Sequence, residues 1–328
     1  MTTVTVRAPA KINLQLAVGP LRPDGYHDLV TVFHAISLFD EVSVAPAEAD
    51  SVTVSGEGAA RVPAGPDNLA LRAVSALRAA IASGTGAPGA SGRSGLAGRT
   101  GAAPDGRAGV AVTISKRIPV AAGLAGGSAD AAAALVACNE LWHAGLSQQE
   151  LCEVAARVGS DVAFAVLGGT AVGRGRGERL MPALVPSARY HWVLAFADGY
   201  LPTPAVYGTL DRMRGPLAPG PAPELSDELM SALRSGDQEK LGRSLSNDLQ
   251  APAISMFPAL RKTLAAGQEC GALGALVSGS GPTCFFLARD AGHATDLAVA
   301  LSGTGVCRSV ARAAGPVPGA TVIGPQAP

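Results

Sequence analysis

Hydrophobic and polar side chains alternate along the stretch KINLQLAV near the start of the chain. A period of two residues is typical of a β-strand with one buried face. The apolar positions are Ile12, Leu14, Leu16 and Val18, and the polar positions between them are Lys11, Asn13 and Gln15. The pattern therefore predicts a half-buried strand that carries Lys11 and Asn13 on the same polar face.

Other periodic stretches predict a mixture of strands and helices. LVTVFHAISL, DEVSVAPA, VAVTISKRIP and YHWVLAFAD have the composition of strands. DNLALRAVSALRAAIA predicts an amphipathic helix capped by Asp67 or Asn68, and an alanine-rich helix that ends near Gly145 precedes a third helix that begins at Ser147. Both halves mix strands and helices without strict βαβ alternation, which predicts an α/β (α+β) chain rather than a doubly wound sheet.

The length of 328 residues predicts two domains, at roughly 100 to 200 residues each. We place the boundary near residue 171, so that the N-terminal domain covers 1–171 and the C-terminal domain covers 172–313. Residues 83–109 lack large apolar side chains apart from Leu96, which predicts a flexible insertion. The Pro/Gly-rich segment 314–328 predicts a disordered tail.

Charge and composition exclude several classes of protein. Lys and Arg number 26, and so do Asp and Glu, so there is no basic field that would attract nucleic acid. No apolar run reaches the roughly 18 residues of a membrane span, and the first residues do not resemble a secretion signal. The five cysteines are scattered and form no CxxC pair, as expected of a protein in a reducing compartment. We therefore expect a cytoplasmic protein that binds neither nucleic acid nor a membrane.

A glycine-rich loop, GLAGGS from Gly123 to Ser128, separates a predicted strand from the alanine-rich helix. Free backbone N–H groups and the positive end of the helix dipole make such a place suitable for an anion. The alternative is a tight turn that lets the helix pack closely against a sheet. The pattern G-x-x-x-x-G-K-[ST] is absent from the chain, and GTGAPG at 84–89 lacks the flanking strand and helix of a dinucleotide fingerprint.

Several motifs occur together and in order: PAKINLQL, RPDGYHDL, PVAAGLAGGSADAA and SGSGPTCF. They resemble the signature motifs of the GHMP kinases, a family named for galactokinase, homoserine, mevalonate and phosphomevalonate kinases. RPDGYH, GSDVAF and SNDLQAP are similar to a branch of that family whose substrate carries a cytidine diphosphate group. The resemblance covers residues 8–312 apart from the insertion. It implies a two-domain kinase, with an N-terminal domain like the second domain of ribosomal protein S5 and a C-terminal ferredoxin-like sandwich.

The resemblance also implies a reaction, in which the γ-phosphoryl group of ATP moves to a hydroxyl of a small molecule, with Mg²⁺ bridging the phosphates. The acid-base pair of the family falls on Lys11 and Asp161. A carboxylate can accept the hydroxyl proton, and a neighbouring lysine favours its charged form and holds the oxygen. A structural alternative exists for Asp161, which could cap the apolar helical run that follows it.

Substrate and nucleotide residues follow from the same resemblance. Tyr26 and His27 match the base-binding pair, and Tyr207 in LPTPAVY matches a second aromatic that sandwiches the base, with Asn13 and Thr203 as further substrate contacts. The nucleotide contacts expected by resemblance are Asn68, Lys116, Pro119, Ala121, Gly123, Leu124, Ala125, Gly126, Gly127 and Ser128. Ser128 could hold phosphate or Mg²⁺, or could merely cap the helix. We assign no residue as a metal ligand, and the sequence leaves open whether Mg²⁺ contacts the protein directly. Asn247 and Asp248 match a family signature without a physical role beyond a turn or cap.

Alternatives to this reading come from three classes of protein. Another kinase of the same family, of the homoserine or mevalonate type, would share the loop but would not need the aromatic pair. A non-catalytic nucleotide-binding regulator would keep the loop and could lose the base, whereas Lys11 and Asp161 are both present. An oxidoreductase would rest on GTGAPG alone. Both a monomer and a homodimer fit the sequence.

Overall fold

The structure of the protein is a computed structural model, which describes residues 3–83, 108–183, 185, 188–215 and 221–324. The predicted flexible insertion and GTGAPG lie almost entirely outside the described residues. The strands are β1 (Val4–Leu21), β2 (His27–Ala47), β3 (Ser51–Gly56), β4 (Gly109–Lys116), β5 (Thr170–Gly175), β6 (Arg179–Pro182), β7 (Tyr190–Phe196), β8 (Ser246–Asn247), β9 (Gly274–Val277), β10 (Cys284–Ala288), β11 (Ser309–Gly315) and β12 (Thr321–Ile323). The helices are α1 (Leu69–Ala82), α2 (Gly126–Leu141), α3 (Gln148–Val158), α4 (Ser160–Leu167), α5 (Thr203–Arg214), α6 (Asp227–Ser235), α7 (Gln238–Ser244), α8 (Gln250–Met256), α9 (Ala259–Glu269) and α10 (Ala291–Gly303).

The first sheet is built around the long hairpin of β1 and β2, which pairs Lys11 with Ala35 and Asn13 with Phe33. Its main path is β12-β1-β2-β4-β3, with β5 and β6 continuing from β2, and β8 beside β1. The β3–β4 pair is parallel, and the hairpin is antiparallel. Ile12 and Leu14 of β1 are fully buried beneath the helices, as the alternation along this strand predicts. The strand is not half-buried, however, because Lys11, Asn13 and Gln15 on its polar face are also buried.

Helix α2 lies in the core of this first half, against α1, α4 and the β1–β2 hairpin. Ala129 and the four alanines from Ala131 to Ala134 are fully buried, and Asp130 between them is 2% exposed. Small side chains allow a helix to be buried on most of its surface, because neighbouring elements can approach its backbone closely. This packing fixes the N-terminal end of α2, to which the glycine loop is attached.

The second sheet has the strand order β11-β7-β10-β9, and its pairs are all antiparallel. Helices α5 to α9 connect β7 to β9, and α10 connects β10 to β11. This order and connectivity are those of a ferredoxin-like sandwich, so the mixed α/β prediction for the two halves is confirmed.

Two predicted boundaries were wrong. The first sheet continues past residue 171 to Pro182, because the two left-handed glycines at 168 and 169 turn the chain back and β5 pairs with β2. The segment from 314 to 324 is ordered, because β12 pairs with β1 from Thr5 to Arg7 and Pro318 bridges to Gly168. An unpaired edge of β1 would expose its N–H and C=O groups, and β12 satisfies part of that edge.

Candidate active site

The glycine loop forms one wall of a cavity of about 410 Å³ between the two halves of the chain. Ala121, Gly123 and Ala125 all have positive φ, and α2 begins immediately afterwards at Gly126. The first-turn residues Gly126, Gly127 and Ser128 line the cavity. The first N–H groups of a helix have no partner within the helix, so this loop presents donors and a positive dipole end to the cavity.

The loop is held from both halves of the chain. The N–H of Lys11 donates to the carbonyl of Leu124 at 3.2 Å, and the Ser278 hydroxyl donates to the carbonyl of Gly123 at 3.0 Å. A Cβ at position 123 would lie 2.1 Å from the Ser278 carbonyl oxygen. Gly123 is therefore needed for its φ of 77° and for this close approach.

The Lys11 side chain lies at the bottom of the same cavity and is 6% exposed. Its Nζ donates to Asn13 Oδ1 at 2.7 Å and lies 3.7 Å from Asp161 Oδ2. Asn13 in turn donates to the Thr31 hydroxyl at 2.8 Å, and that hydroxyl donates to the carbonyl of Gln15 at 2.7 Å. This chain of hydrogen bonds fixes the ammonium group beside the carboxylate.

Asp161 occupies the first turn of α4, and the cap position of that helix is Gly159. The alternative that Asp161 caps the helix is therefore wrong, because the helix already includes Ser160. Its side chain is 33% exposed, and it lines the same cavity as the glycine loop. A carboxylate at this helix end is favoured by the dipole and remains open to a ligand.

A second cavity of about 410 Å³ adjoins the first and contains the predicted aromatic group. Tyr26, His27 and Tyr207 all line it, and the His27 and Tyr207 rings lie 5.2 Å apart. His27 Nε2 is 2.9 Å from Asp211 Oδ1, which fixes the imidazole. Burial, and to a smaller extent the Asp161 carboxylate, raises the pKa of the Tyr207 hydroxyl, which therefore stays protonated.

The two cavities are adjacent, because they share Leu29, Arg176, Thr203 and Tyr207 among their lining residues, and together they are called the cleft below. Thr203 also reaches the SGSG turn, where its hydroxyl lies 2.9 Å from that of Ser280. The cleft thus joins the glycine loop and Lys11 at one end to the aromatic side chains at the other.

Some predicted nucleotide contacts lie outside this cleft. Both polar atoms of the Asn68 side chain are used, since it accepts from the N–H of Ala70 at 2.8 Å and donates to the carbonyl of Pro63 at 2.7 Å. It is the cap of α1, as predicted. The Leu124 side chain is buried, and Pro119 lines a different cavity of about 320 Å³ beyond the loop.

Lys116 is also outside the cleft, behind the glycine loop. Its Nζ donates to Asp40 at 2.5 Å and to Asp130 at 2.6 Å, and all three side chains are almost fully buried. Burial lowers the pKa of Lys116, but Asp130 and Asp40 outweigh that effect and raise it. Burial raises the pKa of Asp130 to about 7 against the opposing effect of Lys116. Since Asp40 also accepts from the N–H groups of Arg117 and Ile118, the group anchors the segment that leads into the loop.

Sequence reasoning missed Arg176 and found no role for Asn247 and Asp248 beyond a turn or cap. Arg176 lines both cavities, although a turn arginine has no distinguishing pattern. Asn247 has a role after all, because its amide donates to the carbonyls of Val277 and Gly279 at 2.8 Å and so holds the SGSG turn. Asp248 accepts from the N–H of Val18 at 2.8 Å and pairs with Arg214 at 3.2 Å, which ties β1 to α5.

The donors in the cleft suit a magnesium ion that is bound chiefly through phosphates. Among the described residues, no three His, Cys, Asp or Glu side chains gather at one place. Asp161 and the Ser128 hydroxyl are the oxygen donors next to the loop, and Mg²⁺ in such sites keeps few protein ligands. In the described part of the chain, no helix has the length and apolar character to cross a bilayer.

Comparison with known proteins places this arrangement in a class. The model of the GHMP kinase N-terminal domain matches residues 68–169, and that of the GHMP kinase C-terminal domain matches residues 229–307. The chain therefore belongs to the GHMP kinase family, and it is a small-molecule kinase.

Within that family the chain belongs with the 4-diphosphocytidyl-2-C-methyl-D-erythritol kinases. It is 54% identical over 325 residues to the protein of that name from Nocardia farcinica, covering 98% of this chain and 97% of the relative. The protein of the same name from Thermobifida fusca is 50% identical over 330 residues, with 98% and 99% covered.

Solved structures agree with the fold. A crystal structure of 4-(cytidine 5'-diphospho)-2C-methyl-D-erythritol kinase superposes with a TM-score of 0.70 at 33% identity, covering 94% of this chain and 98% of that one. Homoserine kinase from Cytophaga hutchinsonii superposes with a TM-score of 0.71 over 98% of each chain. At 19% identity, this second likeness shows a shared fold alone.

Proposed function

We propose that this chain transfers the γ-phosphoryl group of ATP to the 2-hydroxyl of 4-diphosphocytidyl-2-C-methyl-D-erythritol. The observation that carries the proposal is the cleft, in which the cavity of the glycine loop and the Lys11–Asp161 pair adjoins a pocket lined by Tyr26, His27 and Tyr207. A kinase for small alcohols needs the glycine loop and the Lys11–Asp161 pair, and a substrate with a cytosine ring needs the aromatic pocket.

Asp161 acts as the general base in this proposal. Its carboxylate accepts the proton of the substrate hydroxyl while that oxygen forms a bond to the γ-phosphorus. The bond from the γ-phosphorus to the bridging oxygen breaks, and ADP leaves with that electron pair. Lys11, at 3.7 Å from Asp161, can donate to the same hydroxyl oxygen and hold it in line.

The loop stabilises the charge of the phosphates in this reaction. Gly126, Gly127 and Ser128 at the start of α2 line the cavity, and the N–H groups of a helix start, with the positive end of the helix dipole, would stabilise a triphosphate bound there. Mg²⁺, when bound, would neutralise phosphate charge, with the Ser128 hydroxyl as the candidate protein ligand.

The aromatic pocket selects the substrate. A cytosine ring that stacks against Tyr26 or Tyr207 would gain about 1 to 3 kcal/mol for each good stack, by analogy with bases on aromatic side chains. His27, which is fixed by Asp211, offers a ring nitrogen to the edge of the base. A kinase for homoserine or mevalonate would have no use for this pocket, which is the reason for preferring the cytidyl substrate.

The test is a coupled assay of ADP release with ATP and Mg²⁺. The cytidyl substrate would be run beside 2-C-methyl-D-erythritol, homoserine and mevalonate. We expect turnover of the cytidyl substrate alone. Turnover of homoserine or mevalonate instead would replace the proposed substrate, and ATP binding without turnover of any alcohol would favour a non-catalytic regulator.

A further inference from the structure

Arg176 lies at the tip of the turn between β5 and β6, at the point where the two cavities of the cleft meet. The glycines on either side have positive φ, of 73° at Gly175 and 98° at Gly177. The backbone N–H of Arg176 donates to Glu178 Oε2 at 2.6 Å, which fixes the turn. The arginine side chain is thus carried on a tight and internally hydrogen-bonded turn.

The charge of Arg176 is directed into the cleft. Of the residues that line both cavities, Arg176 is the one with a formal charge, beside Leu29, Thr203 and Tyr207. Its guanidinium carbon lies 4.9 Å from the centre of the Tyr26 ring. No described carboxylate forms an ion pair with it, and the two carboxylates that line the cavities are engaged, Asp161 by Lys11 and Asp211 by His27.

The position of this cation corresponds to one part of the proposed substrate. If the base occupies the aromatic pocket and the reacting hydroxyl lies at Asp161, the diphosphate that joins them crosses the stretch shared by both cavities. A guanidinium binds phosphate oxygens through two parallel hydrogen bonds, and it can do so while its face rests on an aromatic ring.

We infer that Arg176 binds the diphosphate bridge of the substrate and is a specificity-determining residue of this kinase. The inference rests on the proposed function. In this inference Arg176 binds the diphosphate of the phosphate acceptor, whereas the glycine loop binds the triphosphate of ATP.

Binding of CDP and cytidine, which are fragments of the proposed substrate, distinguishes diphosphate binding by Arg176 from a purely structural role. Dissociation constants for CDP, cytidine and ATP would be measured by calorimetry for the wild type and for Arg176→Gln, Arg176→Lys and Tyr26→Ala. Loss of a charge-assisted pair of hydrogen bonds predicts that Arg176→Gln binds CDP about 10- to 100-fold more weakly. We expect its affinities for cytidine and ATP to stay within about threefold. Arg176→Lys should lie between the wild type and Arg176→Gln, and Tyr26→Ala should weaken CDP and cytidine by equal factors.

The matched control is Arg174→Gln, which removes an exposed arginine near the end of β5, two residues before Arg176, that lines neither cavity. This variant should bind all three ligands like the wild type. Equal losses of CDP and cytidine in Arg176→Gln would overturn the inference, since the arginine would then act only through Tyr26. An equal loss of ATP would also overturn it. Wild-type protein that binds neither CDP nor cytidine would overturn the proposed function itself, a result distinct from failure of the arginine alone.

Discussion

At the scale of single residues, the proposed chemistry depends on Asp161. We predict that Asp161→Asn lowers kcat at least about 100-fold, the scale of a general-base contribution. The amide keeps the size of the side chain but cannot accept the proton, so KM for both substrates should change by less than about threefold. Steady-state kinetics of the two proteins would check this.

The control for that variant is its stability. Because Asp161 is one third exposed and does not cap α4, Asp161→Asn should melt within about 2 °C of the wild type. A variant that melts normally and retains full kcat would show that the base lies elsewhere in the cleft.

At the scale of elements, the glycine loop and the SGSG turn are in direct contact. We predict that Gly123→Ala loses about 1 to 3 kcal/mol of unfolding free energy, since the new methyl group meets a carbonyl oxygen at a positive φ. Denaturant unfolding would measure it. Gly127→Ala is the matched control, because its methyl group would meet nothing closer than 3.4 Å and alanine is the better helix former. Equal losses in both variants would contradict the contact.

The buried group of Lys116, Asp40 and Asp130 predicts a pH dependence of stability. The folded-state pKa of Asp130, about 7, lies above its ordinary value of 3.8. Between those values the folded protein holds a proton that the unfolded chain has released, so the free energy of unfolding falls as the pH rises.

Asp130→Asn removes the titrating carboxyl group. We predict that the decrease in the free energy of unfolding between pH 5 and pH 8 becomes smaller by about 1 to 3 kcal/mol in this variant. Denaturant titrations at the two pH values would measure it. The control is Asp296→Asn, on the exposed surface of α10, which should leave the decrease in the free energy of unfolding unchanged. The same pH dependence in Asp130→Asn and in the wild type would mean that Asp130 is ionised throughout this range.

At the scale of the whole molecule, the end of the chain returns to its beginning. We predict that truncation after Gly315 lowers Tm by roughly 2 to 6 °C, because it removes β12 and leaves the edge of β1 unpaired. The kcat at 25 °C should stay within about twofold, since none of the removed residues that the structure describes lines either cavity of the cleft. Calorimetry and the ADP-release assay would check both, and an unchanged Tm would show that β12 adds no stability.

The sequence predicts features formed by neighbouring residues better than contacts between residues far apart along the chain. The face that Lys11 and Asn13 share follows from alternation along one strand, and the Asn68 cap and the Ser147–Glu150 capping box follow from neighbours along the chain. The partners of Lys116 and the pairing of β12 have no local pattern, because they join positions as far apart as Thr5 and Ile323. Arg176 has the appearance of a solvated turn residue until its neighbours in space are known.

Helix α5 has a consequence for how this enzyme could change. It supplies Tyr207 and Asp211 to the pocket proposed for the base, whereas the proposed reacting residues Lys11 and Asp161 belong to β1 and α4. Part of the acceptor choice is therefore encoded apart from the reacting residues, in one short stretch of the gene, while Tyr26, His27 and Arg176 supply the rest of the pocket from elsewhere in the chain. Directed evolution toward other alcohols has a natural starting point in this helix, because the helix contains neither Lys11 nor Asp161.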